Sequence, residues 1–270
     1  MSNVRATRGR RGALVADSVR RFIELTAFKT LAELRNERQR TYLGFLWWLF
    51  EPAFLMLVFY VLFDVLMKRG GPDYVPLLFS GLILWQWFGS GLMHCTTAIQ
   101  SALPLARSVK VPMTVFPLAT VLADTVKFAF VFLVLVVVLS ALGFPPNRAY
   151  IALPVVLLAE FAFTCGISFV VAALVPLVPD LRFVISPLLQ GMFFLSAVFY
   201  SFDSVSPHMR HWLNYNPMAV MIDSGRDILM YGRIPDLSRL GLLVLASAAV
   251  LALGIVLVVR LTPRYPKLAE

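Results

Sequence analysis

A charge inside an apolar run of chain is costly, so Glu51, Asp124, Lys127 and Glu160 are informative positions in this 270-residue sequence. Glu51 falls about two helical turns into the run 45–67. Its neighbour Pro52 removes a backbone hydrogen bond and disfavours helical geometry at Glu51, so a carbonyl of the preceding turn is left free. Arg38 or Arg40 is near enough in sequence to pair with that carboxylate; the alternative is a glutamate that simply snorkels to the interface. Asp124 and Lys127 stand three residues apart in the run 115–142, the spacing of a neutralised pair that tethers helices. Glu160, near the middle of 150–175, has no partner on its own helix, so it either meets one across a bundle interface or faces water.

Other chemistry is sparse. The histidines His94, His208 and His211 share no ligand spacing with carboxylates and read as interfacial hydrogen-bonding groups. Cys95 and Cys165 lie in apolar runs without metal-type spacing, so no metal is expected, and both read as small packing residues. There is no phosphate loop ending in Gly-Lys-Ser/Thr, no His-Glu-x-x-His and no nucleophile elbow. Any ATP-driven work is therefore expected from a separate chain. Aromatics gather at Phe45, Trp47, Trp48, Phe50 and Phe54, with Tyr60 further along the same run, and again at Phe193, Phe194, Phe199 and Tyr200. They form either a lipid-facing belt or a ladder of ring faces on which the apolar C–H face of a sugar can stack.

These residues are positioned by a chain with the composition of a polytopic membrane protein: 59% hydrophobic, 14% charged, mean hydropathy +0.80. The expected fold is all-α, with six membrane spans at about 45–67, 75–95, 115–142, 150–175, 183–200 and 240–259. Turn chemistry separates them at Gly70-Gly71-Pro72, at Gly143 to Asn147 and at Pro176 to Asp180. The net charge of +9 resides in the flanks of apolar spans, which argues against nucleic acid as a partner and for membrane lipids. Residues 1–16 form a basic N-terminal stretch without the apolar core of a cleaved signal peptide. From 17 to 44 an apolar stripe, Val19, Phe22, Leu25, Phe28, Leu31 and Leu34, alternates with basic residues, the pattern of an amphipathic helix lying on a membrane surface. Residues 45–270 make the transmembrane domain, in which 201–239 is too polar to span and too apolar for a free loop, so a re-entrant or surface-lying hairpin is expected. Sixteen Lys and Arg then fall on the side of the termini and seven on the other, so both termini are expected in the cytoplasm.

The surface helix, the run Tyr42-Leu43-Gly44-Phe45-Leu46-Trp47-Trp48-Leu49-Phe50-Glu51-Pro52, the turn Pro179-Asp180-Leu181-Arg182 and the segment Trp212-Leu213-Asn214-Tyr215-Asn216-Pro217-Met218 before an Arg226-bearing helix together resemble the polysaccharide-export permeases of type-2 ABC exporters. The resemblance covers essentially residue 17 to the C-terminus. It implies a bacterial inner-membrane homodimer bound to two nucleotide-binding ATPase subunits, which hold the ATP and magnesium, so that this chain needs no cofactor and is not an enzyme. It implies a lipid-linked polysaccharide of O-antigen or capsular type moved from cytoplasm to periplasm through a channel at the dimer interface. Carried onto this sequence, Trp47, Trp48, Glu51, Phe54, Tyr60, Phe193, Phe194 and Tyr200 would line the substrate path. Gln100, Ser101, Pro104, Arg107 and Lys110, with Asp180 and Arg182, would meet the ATPase, and Trp212, Asn216, Pro217 and Arg226 would cap the outer end. Many O-antigen exporters have Asn-Pro where this chain has Glu51-Pro52, so the resemblance leaves the polymer open. An exporter of lipid or drug, a membrane-embedded glycosyltransferase and a proton-coupled transporter using Glu160 and Asp124 are the competing readings.

Overall fold

The computed structural model describes residues 2–40, 46–66, 68, 73–108 and 111–268, with side chains from residue 17 onward except those of 38, 40, 106–108 and 266–268. Among the described residues there is no strand. The helices are α1 (Ser2–Arg40), α2 (Leu46–Tyr60, continued by a π-helical turn Val61–Leu66), α3 (Tyr74–Cys95), α4 (Ala98–Ser108), α5 (Val115–Ala141), α6 (Leu153–Leu174), α7 (Leu181–Leu195), α8 (Pro207–Leu213), α9 (Pro217–Leu229) and α10 (Leu237–Leu261).

Five helical stretches are long and apolar enough to cross a membrane: Leu46–Leu66, Tyr74–Leu105, Val115–Ala141, Arg148–Leu174 and Leu237–Tyr265. The sixth expected span, 183–200, is instead the shorter apolar helix α7, which stops at Leu195. Fifteen residues of helix rise about 22 Å, short of a hydrocarbon core of about 30 Å. The physical reason lies in the next turn. Ala197 takes a positive φ of 55°, and the carbonyls of Ala197, Val198 and Tyr200 are bound by the Arg226 guanidinium, so they do not serve a continuing helix.

α3 is the central element and touches α2, α5, α6, α7 and α9. α6 and α10 run closely together because glycine lets their backbones meet: a Cβ on Gly166 would stand 2.6 Å from Leu251 N, and one on Gly254 would stand 2.5 Å from Gly166 O. α2 and α7 are the opposite case, with Pro52 and Ile185 their buried residues and apolar side chains such as Phe54, Leu57, Phe183 and Leu188 exposed.

α1 lies across α5 through small hydroxyl residues and not through its apolar stripe. Thr26 and Thr30 are buried, Thr30 Oγ1 donates to Ala119 O at 3.3 Å, and Ile23, Phe28 and Leu31 point outward. The α7–α10 connection is structured throughout. Asn216 caps α9 by accepting from the backbone N–H of Met218 and Ala219, and its amide donates to Leu195 O and Ser196 Oγ at 3.0 Å each, tying the start of α9 to the end of α7.

Candidate functional site

Lys127 is the hub of a polar relay on the α1 side of the bundle. Its ammonium lies 2.6 Å from Asp124 Oδ1, the i, i+3 pair expected from spacing, and 2.7 Å from Glu37 Oε2 on α1. His94 Nδ1 at the end of α3 is 2.9 Å from Asp124 Oδ2, and Trp48 Nε1 on α2 donates to Glu37 Oε1 at 3.2 Å. One chain of contacts, Trp48 to Glu37 to Lys127 to Asp124 to His94, therefore links α2, α1, α5 and α3. Such charges are tolerable under apolar cover because each has a partner. A turn earlier on α1, Glu33 accepts from Thr120 Oγ1 at 3.2 Å and pairs with Lys29 at 3.3 Å; burial holds its carboxyl above the usual range.

The relay lines two cavities and touches a third through His94 alone. One of about 270 Å³ is lined by Glu37, Trp47, Trp48, Glu51, Gln86, Trp87, Ser90, His94, Asp124 and Lys127. A second, of about 480 Å³, opens beside α1 between Glu33, Asn36, Glu37, Thr97, Ser101 and Thr120 and meets the first at Glu37, His94, Asp124 and Lys127. The third, about 510 Å³, runs between α2, α3 and α7 along Leu55, Phe59, Trp85, Gly89, Ser186, Gln190, Phe193 and Phe194 and shares Glu51, Gln86, Ser90 and His94 with the first. The shared residues make these cavities one groove, polar beside α1 and aromatic towards the far end of α2. Beyond it the rings close into a cluster, with Phe63 stacked on Phe199 at 5.4 Å and Phe59 tilted against Phe193 at 5.6 Å.

A profile of the family described as ABC-2 type transporter matches residues 27–230. The chain belongs to that family. It is accordingly a multi-pass membrane protein and a transport component, not an enzyme. Over 221 residues it is 29% identical to the O-antigen export system permease protein RfbA of Myxococcus xanthus, covering 81% of this chain and 85% of that protein. A Klebsiella pneumoniae RfbA is 27% identical over 212 residues, 78% of this chain and 82% of its own length. The polysialic acid transport protein KpsM of Escherichia coli is 25% identical over 232 residues, 84% of this chain and 89% of its own.

Of the residues expected on the substrate path, this permease brings Trp47, Trp48, Glu51, Phe193 and Phe194 to the groove. Phe54 stacks on Phe50 at 6.1 Å on an exposed face of α2, and Tyr60 is partly buried; neither lines these cavities. Tyr200 also lies off the groove, its hydroxyl donating to Phe194 O at 3.2 Å. Glu51 is exposed and has no ion pair or hydrogen bond among the described residues; the side chains of Arg38 and Arg40, its expected partners, lie outside them.

Of the ATPase-facing candidates, Gln100 and Ser101 are exposed on α4, Pro104 lies within that helix, and the side chains of Arg107 and Lys110 lie outside the described residues. Asp180 precedes α7 and is exposed, and Arg182 lies over the Phe183 ring at 4.6 Å. At the other end Trp212 is exposed on α8, Pro217 opens α9, and Arg226 is 1% exposed, donating to Ala197 O, Tyr200 O, Val198 O and, on α3, Leu77 O. Glu160 is fully buried on α6, away from the groove, with both oxygens unpartnered among the described residues.

Residue reasoning did not reach Glu33, Glu37, Gln86, Trp87 or Thr120. Glu33 and Glu37 carry a detectable signal, two acids four apart on a basic helix, but their partners on α5 are 87 and 90 residues away.

Proposed function

We propose that this chain is the permease subunit of a polysaccharide exporter of O-antigen or capsular type, carrying a lipid-linked polymer from cytoplasm to periplasm across the bacterial inner membrane. The observation that carries this reading is the continuous groove from the charged relay to the aromatic wall of α2 and α7, in a chain similar to RfbA and KpsM. A sugar polymer suits such a path, since rings take its C–H faces while Gln86, Ser90, Ser186 and Gln190 meet its hydroxyls. In this reading two copies associate through the poorly covered α2 and α7. α7 together with the apolar turn that follows it to Tyr200 makes the sixth crossing, α8 and α9 form the re-entrant outer cap, and α1 rests in the cytoplasmic interface with Ile23, Phe28 and Leu31 in lipid. Both termini are cytoplasmic. Two ATPase subunits bind at α4 and at the turn before α7, and they hold the ATP and magnesium, this chain needing no cofactor.

The experiment compares groove residues with a lipid-facing one. Phe193→Leu and Trp48→Leu should lose polymer export at normal protein level while Phe54→Leu retains it, with the ATPase subunit copurifying in all three. Equal export from all three variants would assign the aromatics to the lipid belt.

A further inference from the structure

Four rings stand exposed on α8, away from the groove. His208, His211, Trp212 and Tyr215 fall at i, i+3, i+4 and i+7 along this helix and its closing turn, so they share one stripe. Trp212 is 61% and Tyr215 70% exposed. Their polar tips are turned back along the helix: Trp212 Nε1 donates to His208 Nε2 at 3.2 Å, and the Tyr215 hydroxyl lies 3.5 Å from His211 Nε2. The two large rings are thereby held 6.3 Å apart and inclined by 57°, the walls of a shallow V. Arg210, the charged neighbour, is engaged elsewhere, donating from Nε to Phe202 O at 2.9 Å and from Nη2 to Asp203 Oδ1 at 2.8 Å.

A bilayer is a poor occupant for this face. Of the aliphatic side chains of α8, Leu213 is buried against the protein and Met209 is exposed, too little apolar area to hold a helix among acyl chains. Rings edged with nitrogen and hydroxyl are the chemistry that takes a sugar, whose C–H face stacks on indole or phenol while its hydroxyls bond to imidazole nitrogens. Position points the same way. Leu213 shares a small core with Phe202 and Tyr200, Tyr200 stands edge-on to Phe199 at 5.3 Å, and Phe199 stacks on Phe63 in the ring cluster at the end of the groove. One line of packed side chains therefore joins the aromatic end of the groove to the stripe on α8.

We propose that His208, His211, Trp212 and Tyr215 form a saccharide-binding platform that receives the polymer as it leaves the groove, by ring stacking and not by charge. This rests on the substrate-path reading above and adds a second glycan site beyond the ring cluster. A segment held there disfavours slippage of the polymer back into the groove while the next segment enters.

Photo-crosslinking in cells that export their own polymer tests this without a choice of sugar. The variants are Met209→p-benzoylphenylalanine, which flanks the stripe and keeps all four rings, and Leu242→p-benzoylphenylalanine on the exposed aliphatic face of α10. After irradiation the permease is purified and stained for carbohydrate by periodate oxidation. The Met209 variant should carry glycan when its ATPase partner is active and none when that partner is inactivated, and the Leu242 variant should carry none. Adding Trp212→Leu and Tyr215→Leu should lower the glycan adduct about tenfold at equal protein level, while Trp212→Tyr with Tyr215→Trp, which keeps two rings, should hold it within about threefold. A Met209 variant free of carbohydrate overturns the platform, and the adduct it carries instead, a second copy of the chain or a phospholipid, names what covers the face. A glycan adduct unaltered by loss of the two rings overturns it as well. If the platform fails in either way and Phe193→Leu still abolishes export, the groove stands; if glycan is captured at Met209 and Phe193→Leu exports normally, the groove reading alone falls.

Discussion

Arg226 offers the sharpest test of how the α7–α10 connection is held. Its guanidinium makes four hydrogen bonds to backbone carbonyls of α3 and of the turn after α7, and none to a carboxylate. Burial pushes its pKa down to about 10, so it remains a cation at neutral pH. Bonds from a charged donor are worth about 1.5–3 kcal/mol each, but desolvating the guanidinium takes back several kcal/mol. Arg226→Met keeps the apolar stem and strands four carbonyls, for a net loss of about 3–5 kcal/mol. Arg226→Lys retains a cation that reaches fewer carbonyls and should lose about half as much. At about 2–4 °C per kcal/mol for a chain of this size, Arg226→Met should melt on the order of 10 °C lower in detergent, followed by tryptophan fluorescence. Gly81→Ala is an independent probe, because an added Cβ would stand 2.5 Å from Arg226 Nη2 and 2.6 Å from Val198 O. It should cost nearly as much, and the double variant should cost little more than either alone. An Arg226→Met protein that melts within about 2 °C of the parent would refute the claim that these carbonyls depend on the guanidinium.

The remaining predictions concern the helix contacts and the relay. Gly254→Ala and Gly166→Ala should each lose about 1–3 kcal/mol of stability by forcing α6 and α10 apart, while Gly241→Ala, where an added Cβ meets nothing within 4 Å, is neutral; melting curves of the three decide it. Lys127→Met leaves Asp124 and Glu37 without their cation and should cost about 3–5 kcal/mol, part of it restored in Lys127→Met/Asp124→Asn, and a double-mutant cycle measures the coupling. Because burial raises the folded pKa of Glu33 above 4.5, the folded state binds more protons there than the unfolded one, so this residue's share of stability is full below pH 4.5 and is lost as pH rises. Glu33→Gln removes that loss, so its melting temperature should gain on the parent between pH 4.5 and pH 7; a constant difference would contradict the assignment.

How much was legible in the sequence depends on how far each cause lies from its effect. Five spans follow from local composition, and the Asp124 and Lys127 pair from a three-residue spacing, because both are set within a turn or two of chain. The short α7 was not legible. Its apolar run continues to Tyr200, and what ends the helix is a side chain some thirty residues on that takes the carbonyls a longer helix would need. The same holds for Glu37, whose meaning as Lys127's second partner comes from α1 crossing α5, a tertiary event. The aromatics divided for this reason too: Trp47 and Trp48 line the groove, while Phe50 and Phe54, stacked in one row behind Trp47 on the same helix, do not.

That division bears on what α2 and α7 face. Exposure of Leu57, Phe183 or Leu188 costs nothing in hydrocarbon, so burial alone does not distinguish lipid from a path for substrate. Polar side chains do distinguish them, since an amide or carboxylate facing lipid would lack water and partners alike. On α7, Ser186, Gln190 and Phe193 fall at i, i+4 and i+7 and so form one stripe, and the same three line the groove opposite Glu51 and Gln86. Val184, Leu188 and Leu195, off that stripe, are purely apolar and exposed. α7 is therefore amphipathic. In the export reading proposed above, the face that carries Gln190 borders the passage and the face that carries Leu188 meets lipid.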